Sequence, residues 1–290
     1  MDTEERTGDG FRPKPLRFAA KKHWGQHFLM DSGVVDAIVA SIHPGSSWPL
    51  LEIGPGSGVL TGPLLAHGAR LVAIEIDPEL VRFLNALYQT PALQVVEADA
   101  VRADWGALVS EAFGPGPFTV VGNLPYYVTG PLVARLWEDD YSWDRAVIMC
   151  QAEVAERLSA PVGSEKAGAP TVLLQNVATA RRLLEVPPTA FDPPPEVSSS
   201  VVEIVRRPNP VVPDRLALRA LVRAGFGQRR KTLVRALAAT GRGAEWWRRR
   251  LEGLQIDPGI RAERLSLDQW RDLSALWLRE GPDADRRELV

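Results

Sequence analysis

The stretch NLPYYV, residues 123–128, places an amide, a proline and two aromatic rings side by side after an apolar run. These residues could grip a flat, nitrogen-bearing ring such as adenine. An amino nitrogen on such a ring is a poor nucleophile, because its lone pair is delocalised into the ring. Neutral acceptors that hold the N–H groups draw the lone pair out of conjugation with the ring. Asn123 offers a side-chain carbonyl for this, and Leu124 or Pro125 offers a backbone carbonyl. Tyr126 can stack on the base. The alternative is an ordinary turn, with the tyrosines in the core.

Methylation of such a nitrogen needs in-line placement more than a strong base, since the proton becomes acidic once the methyl group has transferred. A base inside a nucleic acid must be splayed out or flipped to reach the pocket. Phe191, in the stretch AFDPPPEV, is a candidate for the opposite wall of that pocket. The alternative for Phe191 is a core ring beneath a proline-rich loop.

A second set of residues points to an adenosine-containing ligand. Gly54, Gly56 and Gly58 follow an apolar strand in LEIGPGSGVLT and let the backbone approach a ligand closely, although a simple strand-to-helix turn is the alternative. Glu75 ends the second predicted strand, where an acid in such a unit binds ribose hydroxyls. Asp99 ends the third, where a carboxylate can accept from an adenine amino group. The G-x-G-x-G spacing favours S-adenosyl-L-methionine over NAD.

The elements that must position these residues alternate along the chain. Predicted strands in LLEI, RLVAIEID, LQVVEADA, FTVVGN and DRAVIMC are separated by helical patterns, which indicates a parallel, doubly wound α/β sheet. VPPTAFDPPPEV is too rich in proline for a helix or a central strand, and SSSVVEIVRR is typical of a late strand. RPNPVVPD, residues 207–214, is the best linker candidate, and amphipathic helices follow it.

These patterns divide the chain into four segments. We predict a flexible N-terminal tail at 1–20, a Rossmann-like domain at 21–207, a small all-helical domain at 208–279 and a polar tail at 280–290. Cys150 is the single cysteine, which excludes internal disulfides and a cysteine-based metal site, and we predict no metal. The N-terminus is acidic and lacks the apolar core of a signal peptide, so we expect the cytoplasm.

Basic residues concentrate near the C-terminus although the formal net charge is only −2. The stretch 206–250 holds thirteen Lys or Arg and two acids, for a charge of +11, which leaves −13 for the rest of the chain. Such asymmetry favours a local surface for a polyanion. The alternative is a set of solvated helix faces.

Taken together, the chain resembles the ribosomal RNA small-subunit adenine N6,N6-dimethyltransferase family of the KsgA/Dim type. The resemblance covers roughly residues 20–277 and rests on six stretches in the family's order: KKHWGQHFLMD, EIGPGSGVLT, IEID, NLPYYVTGPL, VPPTAFDPPPEV and FGQRRKTLVRAL. It implies a Rossmann-like class I S-adenosylmethionine-dependent methyltransferase domain followed by a small helical domain. Family members transfer two methyl groups to each of two neighbouring adenosines near the 3′ end of small-subunit rRNA.

The resemblance also implies roles for individual residues. Target-base positions are Asn123 to Tyr126, with Phe191 as the stacking aromatic. A basic helix, Gln228 to Arg235, would bind phosphates through Arg229, Arg230 and Lys231. The substrate would be rRNA in a pre-assembled small-subunit particle, bound by a monomer without an obligate protein partner. The implied cofactor contacts are Gln26, His27, Leu29, Gly54, Gly56, Glu75, Ile76, Asp99, Ala100 and Asn123.

The sequence departs from the family pattern at Tyr127, at residues 166–172, and at Glu196 and Ser198.

Three other functions are alternatives to the one that the resemblance implies. A macrolide-resistance type methyltransferase of large-subunit rRNA shares the fold, but NLPYY, FDPPP and RRKTL favour the small-subunit target. DNA adenine methyltransferases usually carry an acid where Asn123 stands. A non-catalytic RNA-binding assembly factor would not need the glycine loop, Glu75, Asp99 and Asn123 together.

Overall fold

The computed structural model of the protein describes residues 27–42, 49–138, 142–228 and 230–280. The predicted N-terminal tail and residues 281–290 lie outside these ranges. So do Gln26 and Arg229, two of the residues for which the sequence predicts a role.

The described strands are short and mostly buried. Their bounds are β1 Phe28–Leu29, β2 Leu50–Ile53, β3 Leu71–Glu75, β4 Leu93–Glu97, β5 Phe118–Asn123, β6 Trp143–Gln151, β7 Ala178–Val186, β8 Phe191–Asp192 and β9 Ser199–Arg206.

The helices alternate with strands in the first half of the chain and follow one another in the last part. Their bounds are α1 Ser32–Ser41, α2 Thr61–Ala66, α3 Pro78–Leu87, α4 Trp105–Phe113, α5 Thr129–Glu138, α6 Ala152–Ser159, α7 Ala169–Val177, α8 Arg215–Gly227, α9 Leu233–Leu237, α10 Ala244–Gly253 and α11 Leu267–Glu280.

The main sheet has the strand order β4-β3-β2-β5-β6-β9-β7. The pairs β3–β4, β2–β3, β2–β5 and β5–β6 are parallel, as the alternation of strands and helices predicts. Every residue of β2 and β3 is buried, which is why LLEI and LVAIE read as nearly continuous apolar runs. Because parallel strands end at one edge, the residues after β2 to β5 meet there.

Aspartates start several of the helices. An aspartate side chain accepts hydrogen bonds from the first-turn N–H groups of α1, α3, α4 and α8, which would otherwise lack partners. In α3 the cap is followed by Pro78, whose fixed φ suits the first helical position. The helix that follows Asp31 carries the stretch VVDAIVAS, whose apolar residues recur at helical spacing.

A second, two-stranded sheet joins distant parts of the chain. β1 pairs antiparallel with β8, with Phe28 opposite Asp192 and Leu29 opposite Phe191. The N–H of Met30 also donates to the carbonyl of Ala190 at 2.8 Å. Residues 28–30 are thereby bound to the start of the proline-rich AFDPPP stretch.

Contacts between Cα atoms divide the chain into two compact units. The first comprises residues up to 132 with 140–151 and 184–203, and the second comprises 133–139, 152–183 and the residues from 204 onward. The predicted domain boundary at 207 stays a prediction.

The predicted linker, residues 207–214, contains no helix or strand, but it is firmly held. The amide of buried Asn176 accepts from the N–H of Val212 at 2.6 Å and donates to its carbonyl at 3.2 Å. Val212 is itself buried. The segment is therefore part of the packed second unit rather than a free tether.

Beyond Arg206, the described residues form helices only, as the sequence predicts. Their core contains the fully buried indoles of Trp247, Trp270 and Trp277. Trp247 and Trp277 stack with ring centroids 5.7 Å apart. Val172 of α7 and Val212 belong to the same apolar cluster.

The predicted basic helix from Gln228 to Arg235 is wrong in its first half. α8 ends at Gly227 and α9 begins at Leu233, and the N–H of Lys231 donates to the Gln228 carbonyl at 2.8 Å in a turn. The cause is tertiary, because Leu233 is fully buried and its N–H donates to the carbonyl of Ile260 at 2.7 Å.

Candidate active site

A cleft at the ends of β2 to β5 gathers most of the residues that the sequence singles out. Phe191 is not among the residues that line it. The predicted residues that do line it are His27, Leu29, Gly54, Gly56, Glu75, Ile76, Asp99, Ala100, Asn123, Leu124, Pro125 and Tyr126. The parallel topology therefore brings together residues that are up to about a hundred positions apart.

The glycine loop after β2 forms the floor of the cleft. Gly54, Gly56 and Gly58 have φ values of 65°, 57° and 82°, a left-handed conformation that residues with a Cβ adopt only with strain. A Cβ on Gly54 would lie 3.8 Å from Cδ of Pro125 and 4.0 Å from the carbonyl oxygen of Asn123. The glycine loop thus adjoins the NLPY segment directly.

Glu75 links the glycine loop to the end of β3. Its Oε2 accepts from the N–H of Gly56 at 3.1 Å, and its Oε1 accepts from the N–H groups of Ile76 and Asp77 at 2.9 and 3.0 Å. Burial raises the pKa of Glu75, while these three backbone donors act in the opposite direction. The carboxylate is fixed in place, and of its four acceptor sites one, on Oε2, is left beside the cleft.

Asp99 follows β4 by two residues and is held by its own loop. Its Oδ1 accepts from the N–H of Val101 at 2.9 Å, and its Oδ2 lies 3.5 Å from Nε of Arg102. The carbonyl of neighbouring Ala100 accepts from the Trp105 indole at 2.8 Å. The loop therefore presents a half-buried carboxylate to the cleft at a defined position.

Asn123 is the last residue of β5 and its amide is oriented by the residue that precedes β1. Its Nδ2 donates to the backbone carbonyl of His27 at 3.2 Å. With the NH₂ group engaged there, Oδ1 is the acceptor that the same side chain can offer a ligand. The N–H of Leu124 donates to the Met149 carbonyl at 2.9 Å, which fixes the start of the following turn.

The aromatic part of NLPYY borders the same cleft. The ring of Tyr126 stacks on the imidazole of His27, with centroids 5.6 Å apart and planes inclined by 30°. His27 Nδ1 lies 2.8 Å from the carbonyl of Pro193. Tyr127 is half exposed, lines the cleft, and has its pKa raised by desolvation and by the carboxylates of Asp99 and Glu75.

The sequence reasoning assigned no role to Glu52, although this acid lines the cleft. Glu52 is 1% exposed, and its Oε2 accepts from the hydroxyl of Thr61 at 2.7 Å. Burial is the largest influence and raises the pKa of Glu52 to about 7, with Glu75 adding to the rise and Thr61 opposing it. The signal available in the sequence was a charged residue inside an otherwise apolar buried strand, LLEI.

Phe191 occupies a different environment from the one predicted. Its side chain is 4% exposed, and its backbone pairs with Leu29 in the small sheet. The role of Phe191 as the opposite wall of the base pocket stays a prediction, and in this structure Phe191 packs in the core.

Of the predicted phosphate contacts, the structure describes Arg230 and Lys231, and neither is among the residues that line the cleft. Arg230 and Lys231 are both exposed, in the turn between α8 and α9. Within the described ranges, no group of three or more His, Cys, Asp or Glu could hold a metal ion. No helix in these ranges is both long enough and apolar enough to cross a bilayer.

This fold and this cleft define a class of protein. A parallel sheet with a glycine loop after its first central strand, and acids after the next two, is the Rossmann-like fold of class I S-adenosylmethionine-dependent methyltransferases. The family model described as "Ribosomal RNA adenine dimethylase" matches residues 17–277. The chain belongs to that family.

Comparisons with individual proteins agree with this assignment. The chain is 43% identical over 265 residues to ribosomal RNA small subunit methyltransferase A of Anaeromyxobacter sp. (strain K), covering 88% of this chain and 92% of the relative. It is 38% identical to the protein of that name from Leuconostoc mesenteroides, with 88% of each chain covered.

Solved structures share the fold. A dimethyladenosine transferase from Plasmodium falciparum superposes with a TM-score of 0.75 at 24% identity, covering 88% of this chain and 98% of that one. The 23S rRNA methyltransferase ErmE has a TM-score of 0.66 at 25% identity, covering 86% and 98%.

Proposed function

We propose that this protein is an S-adenosylmethionine-dependent enzyme that dimethylates N6 of two adjacent adenosines near the 3′ end of small-subunit rRNA. The observation that carries the proposal is the amide of Asn123. It is oriented by the His27 carbonyl at 3.2 Å and presents a neutral acceptor for a reacting amine, while the backbone of Asn123 adjoins the glycine loop. The names of the relatives support rRNA as the substrate.

The charges of the cleft fit the proposed cofactor. Three acidic side chains, those of Glu52, Glu75 and Asp99, line it, and no Lys or Arg is among its described lining residues. A cationic sulfonium is favoured in such surroundings, whereas the pyrophosphate of a dinucleotide would be repelled. Glu75 would hold the ribose hydroxyls and Asp99 the adenine amino group, with Ile76 and Ala100 beside the adenine ring.

S-adenosylmethionine would supply the reactive methyl group on its sulfonium. The protein holds the adenine amine in line with that group. Oδ1 of Asn123 and the carbonyl of Leu124 accept its N–H groups, which localises the lone pair on nitrogen. The carbonyl of Pro125 already accepts from the N–H of Val128 at 3.1 Å and the hydroxyl of Thr129 at 3.0 Å, which favours Leu124 as the backbone acceptor.

Recognition of the RNA divides between two parts of the chain. Tyr126 stacks on the target base, and the exposed cations Arg230 and Lys231 bind phosphates without reading sequence. The substrate is rRNA in a partly assembled small-subunit particle, and the enzyme acts as a monomer in the cytoplasm.

The test is methyl transfer from labelled cofactor to unmethylated small subunits, with large subunits and duplex DNA in parallel, followed by nucleoside analysis. The wild type should form dimethyladenosine in small subunits alone. Asn123→Ala should lower kcat about 100- to 1,000-fold, as expected for loss of one pre-oriented polar contact in a transition state. Asn85→Ala, at an exposed position of α3, is the matched control and should behave as wild type.

Other outcomes would replace the proposal. Label in large subunits would assign the chain to the macrolide-resistance type activity. Cofactor binding without transfer to any substrate would favour a non-catalytic assembly factor. Wild-type rates for Asn123→Ala would reject the mechanism.

A further inference from the structure

The phenol of Tyr126 reaches into the protein and meets a buried serine. Its Oη lies 2.5 Å from Oγ of Ser199, the first residue of β9. Ser199 is fully buried, whereas Tyr126 is only partly buried and lines the cleft. The tip of the tyrosine is therefore tied down in the interior while its ring borders the cleft.

Two contacts together define the position of that ring. The hydroxyl lies on the long axis of the side chain, so its bond to Ser199 fixes the direction of that axis and prevents the ring from swinging about χ1. The bond leaves rotation about the axis free. The stack with His27, at 5.6 Å and 30°, restrains that second rotation.

The environment of the phenol explains why the bond to Ser199 matters. Desolvation raises the pKa of Tyr126 and the hydrogen bond to Ser199 opposes that rise, and the hydroxyl is neutral at neutral pH. A neutral hydroxyl in a buried setting is unfavourable without a partner. If Ser199 were absent, the side chain would gain by turning its hydroxyl toward water, and the ring would leave its place.

The next residue offers an internal comparison. Ser200 is also buried, with 1% of its surface exposed, and its Oγ has no hydrogen-bond partner within the described part of the chain. Successive side chains of a strand point to opposite faces of the sheet, so the two serine side chains lie in different surroundings. They are equal in size and adjacent in sequence, and Ser199 is the one bonded to Tyr126.

We propose that Ser199 is a positioning residue for the target base, acting through its hydrogen bond to Tyr126. This inference rests on the proposed function, in which Tyr126 stacks on the adenine that is methylated. Ser199 does not touch that base. It keeps the tyrosine ring in the orientation that receives the base, so its loss acts on base capture and leaves the cofactor half of the cleft intact.

The experiment compares Ser199→Ala, Tyr126→Phe, the double variant and Ser200→Ala by steady-state methylation of small subunits at saturating cofactor. Ser199→Ala should lower kcat/KM for the small subunit about tenfold, the effect of one lost hydrogen bond, mainly through KM. The dissociation constant for S-adenosylmethionine, from calorimetry, should change by less than about twofold. Ser200→Ala should match wild type in both measurements.

Non-additivity is the decisive part of the result. Tyr126→Phe removes the same bond from its other end, so the double variant should be no worse than Ser199→Ala alone. A crystal structure of Ser199→Ala should also show Tyr126 with an altered χ1.

Several results would overturn the inference. An equal loss in Ser200→Ala would show that packing along β9, rather than the bond to Tyr126, sustains activity. Additive losses in the double variant, or unchanged kcat/KM in Ser199→Ala, would reject the positioning role while an active wild type still upholds the proposed function. A wild type that methylates no small subunits would reject both.

Discussion

Glu52 makes the stability of this protein depend on pH in an unusual direction. Its pKa is raised from 4.5 to about 7 in the folded chain, because the carboxyl is completely buried. Between these two values the folded chain holds a proton that the unfolded chain has released, so stability falls as pH rises. Each pH unit in that window removes about 1.4 kcal/mol, which gives about 3 kcal/mol in total.

Glu52→Gln isolates this contribution. The amide is uncharged at every pH, and its oxygen can accept the hydroxyl of Thr61 as the carboxylate does at 2.7 Å. The variant should match the wild type below pH 4.5 and become more stable than it by about 3 kcal/mol at pH 8. The stabilising effect should therefore grow through the window from pH 4.5 to about 7.

The assay is urea denaturation of both proteins at pH 5, 6, 7 and 8, followed by tryptophan fluorescence. Glu97→Gln, at an exposed position of β4, controls for the general effect of removing one carboxylate. A difference between Glu52→Gln and wild type that stays constant with pH would refute the reasoning. So would a variant that becomes less stable than wild type as the pH rises.

Two further substitutions test the cleft and the sheet. Glu75→Gln places an NH₂ group against at least one backbone donor, such as the N–H of Gly56. This should make the free energy of S-adenosylmethionine binding less favourable by about 1.5–3 kcal/mol, which weakens binding about 10- to 100-fold. An unchanged dissociation constant in calorimetry would contradict this. Gly122→Ala puts a Cβ 2.5 Å from the carbonyl oxygen of Ile53 and should lower unfolding free energy by about 1–3 kcal/mol. In urea denaturation, Gly130→Ala, which meets open space, should show no such loss.

Local patterns in the sequence were enough to predict six of the seven strands of the main sheet, and only β7 was not predicted. Buried strands such as LLEI and LVAIE are nearly continuous apolar runs, and the glycines and Asp31 mark where elements begin and end. Because the ends of parallel strands share one edge, the meeting of Gly54, Glu75 and Asn123 also follows from sequence.

Contacts between distant residues could not be read in this way. The pairing of Leu29 with Phe191 joins segments whose two-residue strands carry no periodicity. Nothing in the stretch around Lys231 signals that Leu233 will bond to the Ile260 carbonyl and interrupt the helix. The raised pKa of Glu52 likewise depends on what the fold packs around it.

The amide of Asn176 has a consequence for anyone who cuts or recombines this chain. Asn176 lies in α7, yet it holds both polar backbone atoms of Val212, and α7 contributes Val172 to the apolar cluster of the C-terminal helices. A fragment or chimera divided at residue 207 would expose that cluster and leave the buried amide without its hydrogen-bond partner Val212. A C-terminal fragment that keeps this cluster and both hydrogen bonds of Asn176 must therefore include α7.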